Sequence, residues 1–457
     1  MDSLKKNDTR RAVIEDCTSA GLGVAHVEGR AVFVEGAARG DECLLRIVKA
    51  PDSGPVYARI ETLLVPSPAR VTPACPHFGR CGGCDFQHVT YEEELALKEA
   101  RIREAFRRIA KIDLTPEKMY PAPATRGCRN KALFPVRAVE GRPVTGFFRP
   151  RSHTLVPVDA CLLQNAAANA CAAALRAWMT RHRVPAYDET TGEGLIRNLF
   201  VRTGERTGQT LCCLAVTRPK LPQAPALTDM LRAACPGLVG LVLDVNPRPG
   251  NVALSGRQRT LWGAARLEDE LCSLRFSLSA MSFYQVNAVQ AEALYAQAET
   301  LAGLTGRETV LELYCGAGTL SLCLARTAGQ VIGVDIVPEA IRDARQNALG
   351  NGLTNVEFRQ ADAGQAARTL AEAGIRPDVL VFDPPRRGVD EAVLSAVKEL
   401  APPRVVYLSC DPATLARDVF RLADMGYRAV RCAAVDMFPR TANVETVCAL
   451  ERNPNVQ

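Results

Sequence analysis

The chain has 457 residues, 47% of them apolar, and 56 Lys and Arg against 50 Asp and Glu, a net charge of +6. That size gives room for two to four packed domains. It contains no apolar run long enough to span a bilayer, no signal-like apolar core in the polar start Met1–Arg11, and 17 cysteines spread too thinly for a disulfide scaffold. These features predict a cytoplasmic protein with reduced thiols.

Charge is uneven. Residues 300–457 carry 17 basic and 19 acidic side chains, leaving 39 and 31 for residues 1–299. A basic front half and a near-neutral rear half fit accessory segments that hold a polyanion while the rear does chemistry.

Between residues 11 and 66 the runs Ala31–Val34, Glu42–Val48 and Val56–Leu64 are β-rich and bounded by glycines, which predicts a small barrel of short strands. Pro66-Ser-Pro68 and Pro73 make a stiff connector. In Cys75-Pro-His-Phe-Gly-Arg-Cys-Gly-Gly-Cys84, three thiols can converge because the glycines allow tight turns. Such sets hold zinc or an iron–sulfur cluster, and either needs a fourth ligand. Residues Tyr91 to Ile112 have helical spacing, with Leu95, Ile102, Phe106 and Ile109 on one face. Lys98, Arg101, Arg107, Arg108 and Lys111 are expected largely off it, on a solvated face that can meet RNA phosphates. Residues 120 to about 280 alternate strand and helix patterns. The alanine-rich stretch from Asn165 to Met179 reads as a helix, and Leu195–Arg202 and Leu211–Val216 read as adjacent strands.

In the rear half Asn287 of Ser282-Phe-Tyr-Gln-Val-Asn287 is a plausible cap for a helix to about Leu301. Val310–Leu313, the turn around Gly316 and Gly318, and the apolar positions from Leu320 predict strand, glycine turn and helix. This is the first unit of a doubly wound sheet, whose ligands sit at the carboxyl ends of strands. Asp335 ends the next strand, where an acidic residue meets a ribose. Three further motifs follow: Val381-Phe-Asp-Pro-Pro-Arg-Arg-Gly388, Leu408-Ser-Cys-Asp-Pro412 and Phe438-Pro-Arg-Thr-Ala-Asn-Val-Glu445. Cys410 ends a strand and precedes a helix, a position that predicts a lowered thiol pKa. Cys315 is its rival, but lies in the glycine turn.

With these motifs the chain resembles the S-adenosylmethionine-dependent RNA uracil-C5 methyltransferases, specifically the branch with a TRAM domain and an iron–sulfur cluster. The resemblance covers almost the whole chain. It implies an α/β architecture in three parts: a TRAM, OB-like RNA-binding β-barrel (1–66), a central α+β domain with the cluster (67–280), and a Rossmann-like class I methyltransferase domain (281–457). Gly21-Leu-Gly-Val-Ala25, Val32-Phe-Val34 and Gly40-Asp41 match the TRAM pattern, with Arg39 where proline is common. The resemblance places a 4Fe–4S cluster on Cys75, Cys81, Cys84 and Cys161, with Cys128 the nearer competitor for the fourth place. It implies Cys410 as nucleophile and Glu445 as base, with Asn443 where histidine is common. Gln285, Tyr314, Thr319, Asp335, Asp362 and Asp383 are implied to bind S-adenosylmethionine. Arg386 replaces the aromatic that follows Asp-Pro-Pro in amine-methylating enzymes. The implied partner of this monomer is RNA, with no membrane. Ribosomal RNA is favoured over transfer RNA, and a non-catalytic RNA-binding or folding factor on the same scaffold is the other class. Retention of both Cys410 and Glu445 argues against that factor.

Overall fold

Residues 9–65 form a six-stranded sheet in the computed structural model, which describes residues 4–250 and 252–453. Its strand order is Thr9–Val13, Glu42–Lys49, Val56–Val65, Arg30–Glu35, Gly23–Val27 and Asp16–Cys17. All neighbours are antiparallel except Arg30–Glu35 with Val56–Val65. Alternation puts Ala25, Val27, Val32, Val34, Cys43, Leu45 and Ile47 inside. Asp41 is fully buried and accepts from Ala38 N at 2.7 Å, Ser67 N at 2.9 Å and the Arg70 guanidinium at 2.7 Å, so the Gly40-Asp41 pair anchors the connector. Arg39 makes a two-pronged ion pair with Glu93 (both 2.9 Å), tying the sheet to the next helix.

That helix runs Tyr91–Ala105, capped by Thr90, and widens into a π-turn over Phe106–Ala110 that stops at Lys111 (φ 60°). The charged face expected in solvent is partly wrong. Lys98 is 1% exposed and Ile109 is 38% exposed. The helix packs on the rear half, and Ile102, Ala105 and Phe106 join its core. Lys98 is therefore inside, between Glu94 Oε1 (2.7 Å) and Asp436 Oδ1 (2.6 Å).

A seven-stranded sheet follows, ordered Leu155–Pro157, Arg142–Phe148, Lys131–Val139, Ile196–Thr203, Thr210–Val216, Leu238–Val245 and Gln258–Gly263. The helices Ala166–His182, capped by Asn165, and Ala224–Ala234 supply Trp178, Leu175, Leu227 and Leu231 to its core. A hairpin, Arg266–Leu271 with Leu274–Ser279, leads to the helix Ala288–Ala302, capped by Asn287 through Gln290 N.

The rear sheet has the order Val356–Gln360, Gln330–Asp335, Thr309–Leu313, Val379–Phe382, Arg404–Ser409, Glu445–Arg452, Tyr427–Val435 and Met119–Tyr120. Its first five strands are parallel and the central ones are mostly apolar, because helices cover both faces, with Glu312 the buried exception in Thr309–Leu313. Glu445–Arg452 returns antiparallel between two neighbours. Met119–Tyr120, from the front half, closes the edge beside Tyr427–Val435. The chain leaves Thr309–Leu313 first to one side and then to the other. The switch point therefore opens a crevice between the carboxyl ends of that strand and Val379–Phe382. Among the described residues no helix is long and apolar enough to cross a membrane.

Candidate active site

The glycine turn is built for close approach. Tyr314, Gly316 and Gly318 all have positive φ (71°, 55° and 79°), and a Cβ on Gly318 would lie 2.7 Å from the Phe358 ring. Asp335 holds the turn from the neighbouring strand, accepting from Gly316 N (2.9 Å) and Val337 N (2.8 Å). Asp362 caps the Ala363–Glu372 helix with one carboxylate oxygen, through Gly364 N and Gln365 N, both 3.1 Å. Gln285 is buried, held by its carbonyl, which accepts from Asn130 Nδ2 at 2.8 Å. Thr319 differs from the other predicted cofactor residues. It is 6% exposed and its hydroxyl is taken by Tyr295 OH at 2.8 Å. Cys315 is buried in the glycine turn, and that burial holds its thiol well above its ordinary pKa.

One strand along, Asp383 follows Val379–Phe382 and Cys410 follows Arg404–Ser409, while Glu445 opens Glu445–Arg452. Arg386, on the loop after Asp383, lies near both Cys410 and Glu445, where its charge favours the ionised form of each. The expected lowering of the Cys410 pKa is not found. Burial, then the nearby Glu445 carboxyl, push it up to about 11, with Arg386 pulling the other way. Asp411 caps the Pro412–Ala423 helix, accepting from Ala413 N (2.9 Å) and Thr414 N (3.0 Å). The free N–H groups that would favour a thiolate are already occupied. Burial, then Asp383, raise Glu445 to about 8, and burial raises Asp383 to about 7.

Cys75, Cys81, Cys84 and Cys161 all line one pocket, with Phe78, Phe147, Leu162 and Arg129. Cys128 is not among its walls. Gln87 Nε2 donates to Cys84 Sγ at 3.2 Å. Among the described residues no three His, Cys, Asp or Glu side chains close tightly enough for a single metal ion. A cluster spaces its thiolates around its own inorganic core and does not need that closure.

Between these two centres lies a cleft of about 1000 Å³. Its walls carry Phe33, Tyr57 and Arg59 from the first sheet, Arg80 from the cysteine loop, Arg149 and Arg151 from the turn after the Arg142–Phe148 strand, and Arg386 and Asn443 from the rear.

A family model described as tRNA (uracil-5-)-methyltransferase matches residues 265–453. A protein of Listeria innocua named as an uncharacterized RNA methyltransferase is 39% identical over 98% of both chains. Another of that name from Clostridium acetobutylicum is 36% identical, again over 98% of each. The chain belongs to the S-adenosylmethionine-dependent RNA uracil-C5 methyltransferases. Among solved structures, the Pyrococcus abyssi tRNA (uracil-54, C5)-methyltransferase in complex with S-adenosyl-L-homocysteine superposes with a TM-score of 0.77 at 25% identity, over 96% of this chain and all of that one.

The methyl donor of this RNA methyltransferase is S-adenosylmethionine. The glycine turn, backed by Asp335, has the backbone conformation that would let a ligand approach closely. Sequence reasoning missed two parts of the site. Arg386 was read only as not aromatic, since no local spacing reveals how far its guanidinium reaches. Asp85, next to Cys84, was not singled out, although its carboxylate accepts from Ala442 N at 2.9 Å and steadies the loop before Glu445.

Burial raises Glu312, under the glycine turn, to about 8 from an ordinary 4.5, against a hydrogen bond from Ser321 Oγ. With the folded value above the unfolded one, the folded state binds the extra proton. Stability is therefore full below 4.5 and is lost as pH rises through about 8. Glu312→Gln keeps the acceptor and removes the titration. Its melting temperature should match the wild type near pH 4.5 and exceed it at pH 8.5, by about 2–4 °C for each kcal/mol recovered. A gap that does not change with pH contradicts this assignment.

Proposed function

We propose that this methyltransferase methylates C5 of a uridine in ribosomal RNA through a covalent adduct between Cys410 and C6. The observation that carries the reading is the convergence of the Cys410 thiol, Arg386, Glu445 and Asp383 at adjacent strand ends beside the glycine turn. Uracil C5 is too weak a nucleophile to take a methyl group unaided. The Cys410 thiolate adds to C6, forming the S–C6 bond and moving the C5=C6 electrons into an enolate. S-adenosylmethionine supplies an electrophilic methyl, leaving as S-adenosylhomocysteine. Glu445 then removes the C5 proton, the C5=C6 bond re-forms and the thiolate departs. Gln285, Tyr314, Thr319, Asp335, Asp362 and Asp383 hold the cofactor.

The remaining assignments belong to the same reading. Cys75, Cys81, Cys84 and Cys161 would hold a 4Fe–4S cluster with a structural role. Their shared pocket and the Gln87 donor support this. Residues 1–66 act as a TRAM-type RNA-binding barrel, 67–280 as the central domain and 281–457 as the catalytic one. The arginine-rich cleft with its aromatic walls suits a single-stranded segment, whose phosphates and unstacked bases it can meet together. The protein acts as a cytoplasmic monomer.

A transfer RNA substrate is the second reading, favoured by the tRNA specificity in the name of the Pyrococcus structure. Incubation with S-adenosylmethionine and unmodified ribosomal or transfer RNA, followed by mass spectrometry of nucleosides and mapping, decides between them. We expect 5-methyluridine at a discrete ribosomal position. Methylation of transfer RNA alone overturns the substrate, and methyl groups on nitrogen or ribose overturn the chemistry. Iron and sulfide analysis of anaerobically purified protein should give a cluster that Cys161→Ser loses and Cys128→Ser keeps.

A further inference from the structure

Asn443 is not needed by the chemistry above, yet it touches it. Its Oδ1 accepts from Arg386 Nη2 at 3.1 Å. Thr441 fixes the amide's orientation, because its Oγ1 accepts from Asn443 N (3.3 Å) and Nδ2 (3.5 Å). The flanking peptide is clamped as well, with Ala442 N donating to Asp85 and Ala442 O accepting from Arg101 Nη1 at 2.6 Å. Arg386 is an exposed side chain on the rim of the cleft, anchored through its carbonyl, which accepts from Thr414 Oγ1 at 3.1 Å. Without a second anchor its guanidinium is free to swing into the cleft.

The groups facing Cys410 set what that swing would cost. Glu445 and Asp383 face it from two neighbouring strands and oppose a thiolate. Asp411 adjoins it, and Arg101 approaches from the Tyr91–Ala105 helix, but that guanidinium is shared with Asp411 (3.6 Å) and the Ala442 carbonyl. That leaves Arg386, held by Asn443 at 3.1 Å, as the cation near Cys410 that favours its thiolate.

We propose that Asn443 is a positioning residue, whose amide oxygen holds the Arg386 guanidinium on the Cys410 side of the cleft with a contact that does not titrate. This rests on the reading of Cys410 as nucleophile. An imidazole at this position could accept from Arg386 only when neutral. Once protonated it would repel the guanidinium, making nucleophile activation fail in mild acid. The amide keeps the contact at every pH.

The test is the rate of Cys410 alkylation by iodoacetamide in the full-length protein, read at the Cys410 peptide by mass spectrometry from pH 6 to 10, beside single-turnover methylation. For Asn443→Ala we expect alkylation to slow by roughly tenfold across pH 8 to 10, the loss that a thiol about one pH unit less acidic would give, with S-adenosylmethionine affinity unchanged. Asn443→His should follow the wild type above pH 8 and fall away below about 6.5. Should Asn443→Ala fail to fold, Asn443→His decides alone, and a profile parallel to the wild type overturns the proposal. Superimposable wild-type and Asn443→Ala profiles, with Cys410→Ala inactive, overturn this inference alone. Turnover by Cys410→Ala would instead remove the reading beneath it.

Discussion

Cys410→Ala is expected to lose methyl transfer by at least about 10⁴-fold, since no other thiol in the site can replace it. Cys315 is buried within the glycine turn, its thiol directed at the Gly316 carbonyl (3.8 Å). The defect should be chemical, with RNA and cofactor affinity close to wild type. RNA carrying 5-fluorouridine makes the distinction visible. Fluorine cannot leave as a cation, so the wild type should be trapped on its substrate as a complex that survives denaturation, and Cys410→Ala should not. Glu445→Gln should give the complementary result, a methylated adduct accumulating on ordinary RNA because the C5 proton stays in place. The wild-type rate should climb with pH. The base must lose a proton held to about 8 and the thiol one held to about 11, so both ionisations favour the alkaline side. Near-normal turnover by Cys410→Ala would falsify the covalent mechanism.

Lys98→Met should destabilise the protein by about 3–5 kcal/mol, the usual cost of removing one partner from a buried ion network. The ammonium lies between Glu94 and Asp436, both fully buried, and donates a third bond to the Phe438 carbonyl at 3.2 Å. Asp436 also accepts from Tyr91 OH at 2.5 Å, and Glu94 accepts from Arg440 N at 2.7 Å. Removing the ammonium leaves the buried Asp436 with the Tyr91 hydroxyl and Glu94 with Arg440, whose guanidinium stands 3.5 Å away. The same contacts aim the segment that leads to Glu445, so activity should fall with stability. Adding Glu94→Gln and Asp436→Asn should recover much of the loss, because neutral partners tolerate the apolar side chain. Denaturant unfolding provides the measurement, and a loss below about 1 kcal/mol would show the network to be dispensable.

Much of the fold could be read from local pattern. The inner parallel strands are mostly apolar because both their faces are covered, and Asn165 and Asn287 stand where their helices begin. The glycine turn and the motifs at strand ends pointed to the crevice for the same reason. What stayed hidden depends on partners distant in sequence. Lys98 reads as a solvent residue because nothing nearby announces Asp436, 338 positions on. Cys410 reads as an activated thiol because the helix after it is visible, whereas the carboxyls that oppose ionisation come from other strands. Two residues, Met119 and Tyr120, are too few to register as a strand without the edge they complete.

The segment from Asp436 to Asn443 takes its shape from Asp85, Tyr91, Lys98 and Arg101, all made several hundred residues earlier. During vectorial synthesis those four emerge from the ribosome first, so the mould exists before the piece it forms. A fragment beginning at residue 281 would lack that mould, and grafting it onto a foreign front half would mean carrying the four residues along.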